Sequence, residues 1–563
     1  MSSSGILQVK EQLAAALAES VTHAGLEVAQ LPAIQLSPTP DKRFGDLSAN
    51  LAMLIAKEAG RKPREVAELL AKHLEVSPDV VERVEVAGAG FINFFLHPGW
   101  ALPVVREILQ VGDGYGRSNE GQGRRVQIEF VSANPTGPLG VHHGRGGAIG
   151  DALANLLAWT GHQVEREFYI NNERTSLQMR RFGESVEARY LQLCGRDAEV
   201  PEDGYRGEYV AEIAQALRAR EGDRYLELPP EERVPLFTKL AEQEMLREQR
   251  EVLERFGIRF NHWFEADALF ESGAVEEVIT VLGKGGFTYE AEDALWLRTT
   301  DFGDDRDRTL VRRTGQPTYL ATDAAYHRDK FARGYDLVID IWGPDHHGYL
   351  ARTRAAVQAL GISPDRLELI IYQLVRLIRR GELVMMSKRA GDIVPLADLI
   401  TEVGADVARF FYLMRSSDSH LDFDLDLAKQ QSRDNPVFYV QYAHVRTCSI
   451  FARAEERGIA LPAPDSADLS LLRHERELDL MRKLAELPEE ILLAANLREP
   501  HRMTVYAQAL AQTLHGFYDD ADCRVLDDQN FPLTAARLCL VSAARIVLRN
   551  ALTLLGLSAP EKM

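Results

Sequence analysis

The stretch that most constrains this chain runs from Val126 to Gly161, VQIEFVSANPTGPLGVHHGRGGAIGDALANLLAWTG. Val126, Ile128 and Phe130 alternate with Gln127 and Glu129, the period of two expected of a half-buried strand. Asn134, Pro135, Gly137, Pro138 and Gly140 then force a loop. After His142 and His143, the residues Ile149, Ala152, Leu153, Leu156 and Leu157 share one face of a helix that Gly161 is placed to end. Strand, glycine-rich turn and helix make the phosphate-binding corner of a doubly wound sheet, where free N–H groups and the positive end of the helix dipole attract phosphate oxygens. Imidazoles in such a turn can also donate hydrogen bonds to a phosphate as charge builds up in a transition state. An ordinary helix entry would share the pattern, so both readings stand at this point. The turn lacks G-x-x-x-x-G-K-[ST] and a proper G-x-G-x-x-G, which argues against a P-loop and a dinucleotide site.

With 563 residues the chain is too long for one core. Its net charge of −19 counts against a non-specific DNA binder more than against an RNA enzyme, because a large acidic protein can still carry a local basic track. Cys194, Cys448, Cys523 and Cys539 are scattered with no C-x-x-C pair, so they signal neither a zinc site nor a disulfide framework. They fit buried thiols in a reducing cytosol. No secretory signal pattern and no uninterrupted apolar run of about 18 residues is present, so no membrane contact is expected.

Taken in order, residues 1–115 read as a small α+β or α/β domain, with helices over ILQVKEQLAAALAES and PREVAELLAKHLEV and a strand-like VERVEVAGAGFINFFL. Phe91 and Phe94 are expected in its core. VGDGYGRSNEGQGRR is a glycine-rich boundary. After a second strand, QVEREFYINN, the pattern turns helical and charged, and the span of about 173–300 is expected to be an insertion between two halves of a sheet. The sheet resumes with LVIDIWGPDHHGYL, whose strand end carries Asp345, His346 and His347, and with the single buried run LELIIYQLVRLI. Ligands bind beyond the carboxyl ends of strands in such folds. From Leu396 onward every segment has helical period and none reads as a strand, which predicts a bundle over 396–563. On its last helix Arg545 and Arg549 share a face, either a solvated one or one that meets RNA.

EFVSANPTGP with HGRGGAIGD, then TYLATDAAYHRDK, DIWGPDHHGY, MSKRAGD, DNPV before VQYAHVRTCSI, and the closing LLGLSAP occur in one order and spacing. On these stretches the chain resembles the arginyl-tRNA synthetases, a family of class I aminoacyl-tRNA synthetases, over essentially its whole length. The resemblance implies a Rossmann-type parallel-sheet catalytic core over 116–395 with a connective insertion, an N-terminal α+β domain over 1–115 that touches the tRNA elbow, and a C-terminal all-helical anticodon-binding bundle over 396–563. It implies a cytoplasmic ligase that joins L-arginine to tRNA(Arg) through arginyl-adenylate, with ATP and Mg2+ and with tRNA generally needed for the first step. A monomer is expected.

The resemblance also implies site residues. Glu129, Asn134, Tyr319 and Asp323 would hold the substrate, and the guanidinium's planar fork suits carboxylates in bidentate reach. Asp345 would line the arginine or adenosine site. ATP would meet Gly140, His142, His143, Gly144, His346, His347, Met386, Ser387 and Lys388. Lys388 would neutralise the pyrophosphate as charge builds. In the bundle, Gln441, Tyr442, His444, Arg446, Arg545 and Arg549 would meet tRNA.

Two departures stand out. Where the family has H-x-G-H, this chain has Gly140-Val141-His142-His143: the second histidine is kept, the first is glycine, and His142 replaces the glycine that lets adenine approach. The lysine-led second signature begins here with Met385 but keeps Lys388. His142 is expected to take over part of the missing donor's work. A tRNA-binding protein with an impaired catalytic corner is the alternative. Glu129, Asn134, Tyr319, Asp323 and Lys388, which a decayed copy would tend to lose, are all present.

Overall fold

Five short strands with apolar centres assemble one parallel sheet: β1 (Arg125–Glu129), β2 (Gln163–Ile170), β3 (His262–Glu265), β4 (Leu337–Trp342) and β5 (Leu367–Ile371). The computed structural model describes residues 5–173, 176–384 and 394–563. The strand order is β5-β4-β1-β2-β3, with every neighbouring pair parallel. The chain winds outward one way from β1 through β2 and β3, then returns to β4 on the other side of β1. That reversal opens a crevice beyond the carboxyl ends of β1 and β4.

The helices that matter below are α1 (Val141–Trp159), α2 (Pro230–Arg255), α3 (Tyr319–Ala332), α4 (Leu350–Ala359), α5 (Ala405–Leu413), α6 (Pro436–Glu456) and α7 (Phe531–Leu554). Gly161 ends α1 as its position requires, at φ +91°, and the His162 N–H reaches back to the Leu157 carbonyl at 3.0 Å. Strand β1 departs from the half-buried expectation. Val126, Ile128 and Phe130 are fully buried, but so are Gln127 and Glu129. A central parallel strand is covered on both faces by helices, so its polar residues need internal partners. Gln127 finds one by donating to Glu167 Oε1 on β2 at 2.9 Å.

The insertion differs from the expected unbroken 173–300. Helices Leu177–Leu193, Glu208–Glu221 and α2 pack around their own core of Phe182, Tyr190, Val210 and Phe237. Then β3 returns to the sheet, with His262 opposite Glu167. Only after it come helix Ala274–Lys284 and a three-stranded antiparallel sheet of Thr288–Ala291, Ala294–Leu297 and Arg308–Val311. A four-residue edge strand, HWFE, is too short for periodicity to reveal.

Two further expectations give way. LELIIYQLVRLI is two strands, β5 and Val375–Arg379, and the second pairs in parallel with Leu421–Asp424 inside the stretch expected to be all helix. There LDFD does alternate: Leu421 and Phe423 are buried and Asp422 is exposed. The N-terminal unit packs helix Ile6–His23 and helix Pro63–Lys72 with a four-stranded antiparallel sheet. Phe94 is fully buried in it, but Phe91 is 42% exposed. Phe91 and the 49%-exposed Phe44 stand beside a groove of about 420 Å³ with Gln35, Asn50 and Asn93.

Helix α7 is long and apolar enough to cross a membrane by composition, but 67% of its most apolar window is buried within the protein. Its Arg537 reaches Glu477 at 2.6 Å, the partnering a buried charge needs in a bundle core. A second buried arginine joins the bundle to the sheet. Arg409 of α5 donates to Asp151 on α1 at 2.6 Å, to the Phe256 carbonyl just after α2 at 3.1 Å and to the Leu555 carbonyl just after α7 at 3.1 Å.

Gly150 on α1 lets the helix lie against β1: an added Cβ would sit 2.2 Å from Cγ of Phe130. Gly150→Ala is therefore expected to destabilise the fold by about 1–3 kcal/mol through overpacking. Scanning calorimetry would measure this as a lower unfolding temperature, and an unchanged temperature would refute the close approach.

Candidate active site

One face of α3 feeds the crevice. Tyr319, Asp323, His327 and Lys330 lie at spacings that bring them onto one stripe of the helix. The stripe runs from mouth to floor. Tyr319 is 60% exposed, the Asp323 side chain 29%, and Lys330 is fully buried. Across from it, Glu129 on β1 is paired in register with Asp340 on β4.

Lys330 joins these two carboxylates, with its Nζ 2.5 Å from Glu129 Oε2 and 2.7 Å from Asp340 Oδ1. His327 joins Asp340 to Asp323. Its Nε2 is 2.8 Å from Asp340 Oδ2, its Nδ1 is 2.8 Å from the Asp323 carbonyl, and Asp323 Oδ1 is 3.3 Å away. Thr353 on α4 steadies Asp323 by donating to its Oδ2 at 2.8 Å. Glu129 and Asp323 thus stand at the two ends of one continuous chain of contacts. Burial works against every charge in it. For His327 the two aspartates outweigh burial and push its pKa up to about 10. For Asp340, Lys330 and His327 outweigh burial and bring the carboxyl down to about 2. Lys330 is held above its usual range, because Asp340, Glu129 and Glu167 outweigh burial. The Glu129 carboxyl is pushed up by burial, with Lys330 pulling against it and Asp340 and Glu167 adding to it.

Sequence reasoning missed His327, Lys330, Asp340, Tyr169 and Glu173. Asp340 stands out as an ionisable group inside an apolar strand, but His327 and Lys330 lie among other charged residues of α3, and only the fold pairs them with partners on other elements. Tyr169, at the end of β2, has its hydroxyl pKa driven well up by burial and by Glu173, Glu129, Asp323 and Tyr319, which places these groups around one spot.

The loop after β1 is bent hard. Val131 at φ +69° and Ser132 at φ +41° lie in the left-handed region, a conformation that needs support from its surroundings. Ser132 Oγ supplies some of it, donating to Glu129 Oε1 at 2.9 Å and accepting the Tyr169 N–H at 3.2 Å. Further along, Asn134 Oδ1 accepts from Asn171 at 3.1 Å and its Nδ2 donates to Gln178 at 3.3 Å. Gln249 of α2 donates to the carbonyls of Asn134 and Gly137 at 3.1 and 2.9 Å. The insertion thus clamps the loop that carries Asn134.

At the start of α1, the Gly140 N–H donates to His143 Nδ1 at 2.9 Å. That bond assigns the proton of the neutral ring to Nε2, which is left as a donor. Burial, aided by His142, lowers the His143 pKa to about 3, so the ring is neutral at working pH. The His142 ring packs on it, centroids 3.9 Å apart, and its own pKa is lowered by burial while Asp345 opposes. Asp345, His346 and His347 are exposed on a single turn after β4, with His346 Nε2 3.6 Å from Asp345 Oδ2. Gly144 faces inward: a Cβ there would lie 2.6 Å from Leu396 and 2.9 Å from Tyr412. Met386, Ser387 and Lys388 lie outside the described residues. The chain that follows them is stitched to the turn before α1, with Val141 donating to Val394 at 3.0 Å and Leu396 to Leu139 at 2.7 Å.

The bundle residues divide. Gln441 and His444, expected to meet tRNA, are turned inward. Gln441 Nε2 bonds Asp406 at 2.7 Å and the Ser558 carbonyl at 3.1 Å, and His444 Nδ1 lies 2.9 Å from the Pro560 carbonyl. Both fasten the residues after α7, because buried polar groups on α6 need internal partners. Tyr442 and Arg446 are partly exposed, with the Arg446 guanidinium over the Tyr442 and Tyr518 rings and 3.0 Å from Asp519. Arg545 lies over Phe451, and Arg549 pairs with Asp113.

Among the described residues, His474–Asp520–Cys523 and Glu165–Glu167–His262 come close enough to hold a metal ion. Their donor atoms already have partners: His474 Nδ1 accepts the Arg476 N–H, and Glu167 takes Arg333, Tyr326 and Gln127.

Three family models match the chain in sequence. They are the arginyl tRNA synthetase N terminal domain over residues 7–96, the tRNA synthetases class I (R) catalytic domain over 104–411, and the DALR anticodon binding domain over 440–563. The chain is 48% identical over 558 residues to an arginine–tRNA ligase of Carboxydothermus hydrogenoformans, covering 99% of both chains. It is 49% identical over 562 residues to that of Moorella thermoacetica, covering 99% of this chain and 100% of the relative. Its fold matches the arginyl-tRNA synthetase of Thermus thermophilus with a TM-score of 0.75 at 22% identity, over 99% of this chain and 100% of the other. On the catalytic-domain match and the full-length identities, the chain belongs to the arginyl-tRNA synthetases, class I aminoacyl-tRNA synthetases that use ATP.

Proposed function

We propose that the crevice beyond β1 and β4 is where this arginine–tRNA ligase brings L-arginine and ATP together. The observation that carries the proposal is the meeting of Glu129 and Asp323 at the two ends of one charge cluster, beside the histidine-bearing start of α1. An acidic floor suits a guanidinium, and a neutral donor corner suits a triphosphate.

In this reading Glu129, Asp323, Tyr319 and Asn134 hold L-arginine, with Asp345 at the mouth. ATP enters as its magnesium complex and lies along Gly140, His142, His143, Gly144, His346 and His347. The arginine carboxylate attacks the α-phosphate, and pyrophosphate leaves with the electrons of the broken P–O bond. His143 donates from Nε2 to the phosphate, and Lys388, with Met386 and Ser387, meets the departing pyrophosphate. A terminal hydroxyl of tRNA(Arg) then attacks the activated carbonyl, and AMP leaves. Tyr442, Arg446, Arg545 and Arg549 form the bundle's tRNA contacts, while Phe44 and Phe91 offer ring faces to a base at the tRNA elbow. We place the domain boundaries near residues 115 and 395, the enzyme in the cytoplasm, and its working state as a monomer. An impaired catalytic corner is not favoured, given ligase relatives at this identity over the whole chain.

Incubation with radiolabelled arginine, ATP, Mg2+ and total tRNA should yield acid-precipitable label, and counts at background would defeat the assignment. His142→Ala is expected to slow ATP–pyrophosphate exchange by about 10²-fold, the scale of one lost transition-state donor. Exchanging the two positions, with histidine at 140 and glycine at 142, should raise it. A flat response to both changes would remove His142 from the mechanism. Because the folded pKa of His143 is depressed to about 3, its contribution to stability is complete above the unfolded value near 6.5 and falls as pH drops below it. Wild type should therefore lose more melting temperature between pH 7 and pH 5 than His143→Asn, and equal losses would contradict the buried neutral ring. The Phe44→Ala/Phe91→Ala pair should raise the KM for tRNA by roughly tenfold, from about 1–3 kcal/mol of stacking per base, and leave the KM for arginine unchanged. An unaltered tRNA KM would place the elbow contact elsewhere.

A further inference from the structure

The charges on the crevice floor do not balance. Glu129, Asp340 and Asp323 are three carboxylates, and among the described residues Lys330 and His327 are the cations that stand between them. The neighbouring Glu167 does not alter the difference, because Arg333 grips it at 2.5 and 2.9 Å and Tyr326 donates to it at 2.5 Å. Asp329 and Glu165 lie on the outer, more exposed side of that same arginine. Lys330 also faces the Tyr326 ring at 4.2 Å and feels Glu167, and Asp323 accepts from the neutral Thr353. Glu173 borders the site near Tyr169, with its own carboxyl pushed up by burial and by Asp267.

We propose that Lys330 and His327 are positioning residues that hold Glu129, Asp340 and Asp323 in a preformed cradle one positive charge short, which a guanidinium cation completes and an uncharged side chain does not. The proposal rests on the reading that Glu129 and Asp323 bind arginine. Neither cation need touch the substrate. Lys330 points the buried Glu129 by one oxygen and pulls against the burial that pushes its carboxyl up, while Ser132 fixes the other oxygen. His327 points Asp323 from the opposite end of Asp340, with Nδ1 2.8 Å from its carbonyl and 3.3 Å from its Oδ1. Fixed orientation spares the site the cost of ordering its own carboxylates when arginine arrives. A neutral isostere such as citrulline would leave the surplus negative charge buried and unpaired, which costs far more than a lost surface contact.

The test uses the full-length enzyme and steady-state KM values for arginine and for ATP, measured from about pH 6.5 to 8.5, with L-citrulline as a competitor. Lys330→Met removes the cation at similar volume and leaves Glu129 to protonate in its buried site. The arginine KM should rise by about tenfold or more relative to wild type, the ratio should shrink as pH rises and Glu129 regains its charge, and the ATP KM should stay within about twofold. Citrulline should compete better against the variant than against wild type. His327→Gln should raise the arginine KM in the same selective way. Lys330→Met/Asp340→Asn also removes the neighbouring carboxylate that disfavours an ionised Glu129 and should bring the arginine KM back toward wild type, an effect that simple damage to packing would not produce. If Lys330→Met does not fold, His327→Gln and the double variant carry the test.

Unchanged arginine KM values with no new pH dependence would overturn the proposal, as would equal rises in the arginine and ATP KM values. Glu129→Gln separates the two levels. If it raises the arginine KM and Lys330→Met does not, only the positioning role fails. If Glu129→Gln has no effect, the arginine site itself has been misplaced.

Discussion

The contact between Lys330 and the paired carboxylates of β1 and β4 is the constraint around which the rest is arranged. Parallel strands at a switch point are covered on both faces, so a charged residue there has no water to turn to. Glu129 and Asp340 sit opposite each other in register at that point. Two desolvated carboxylates side by side would repel, and one would take up a proton. A buried ammonium between them opposes this and holds Asp340 ionised, at the cost of a third desolvated charge. Breaking such a set by removing one member typically costs about 3–5 kcal/mol, so the sheet, α3 and the crevice floor are held by the same few atoms.

Much of this architecture is legible from the residues. The alternation of β1, the glycine that ends α1 and the polar ends of β1 and β4 all follow from periodicity and turn chemistry, and they place the crevice. What stayed hidden had physical causes. HWFE is a short edge strand, and LDFD is a short strand inside a helical region, so neither is long enough to outweigh its neighbours. Phe91 looked like core because exposed and buried aromatics share a sequence signature, and only the surrounding groove separates them from Phe94. Gln441 and His444 occupy inward positions on α6, where they serve the chain's last residues. Lys330 and His327 were passed over because a lysine or histidine in a helix is ordinarily solvated, and their partners come from strands far away in sequence.

The altered corner follows the same logic. In the turn Gly140-Val141-His142-His143, the glycine occupies the N-cap and gives its N–H to His143, while the His142 ring packs on its neighbour and feels Asp345 across the crevice. The donor lost at Gly140 and the ring gained at His142 lie within the same turn. Gly144 and Gly150 act differently: they allow Tyr412 and Phe130 to approach α1, so they set where the histidines are held.

Arg409 has an implication of its own. It binds the helix that begins with the histidines, the chain just after α2 and the residues just after α7, all from one guanidinium. A sideways slip of the helical bundle against the sheet would first have to tear this knot apart. The bundle and the helix that carries the histidines are therefore tied to each other as parts of one stiff strut.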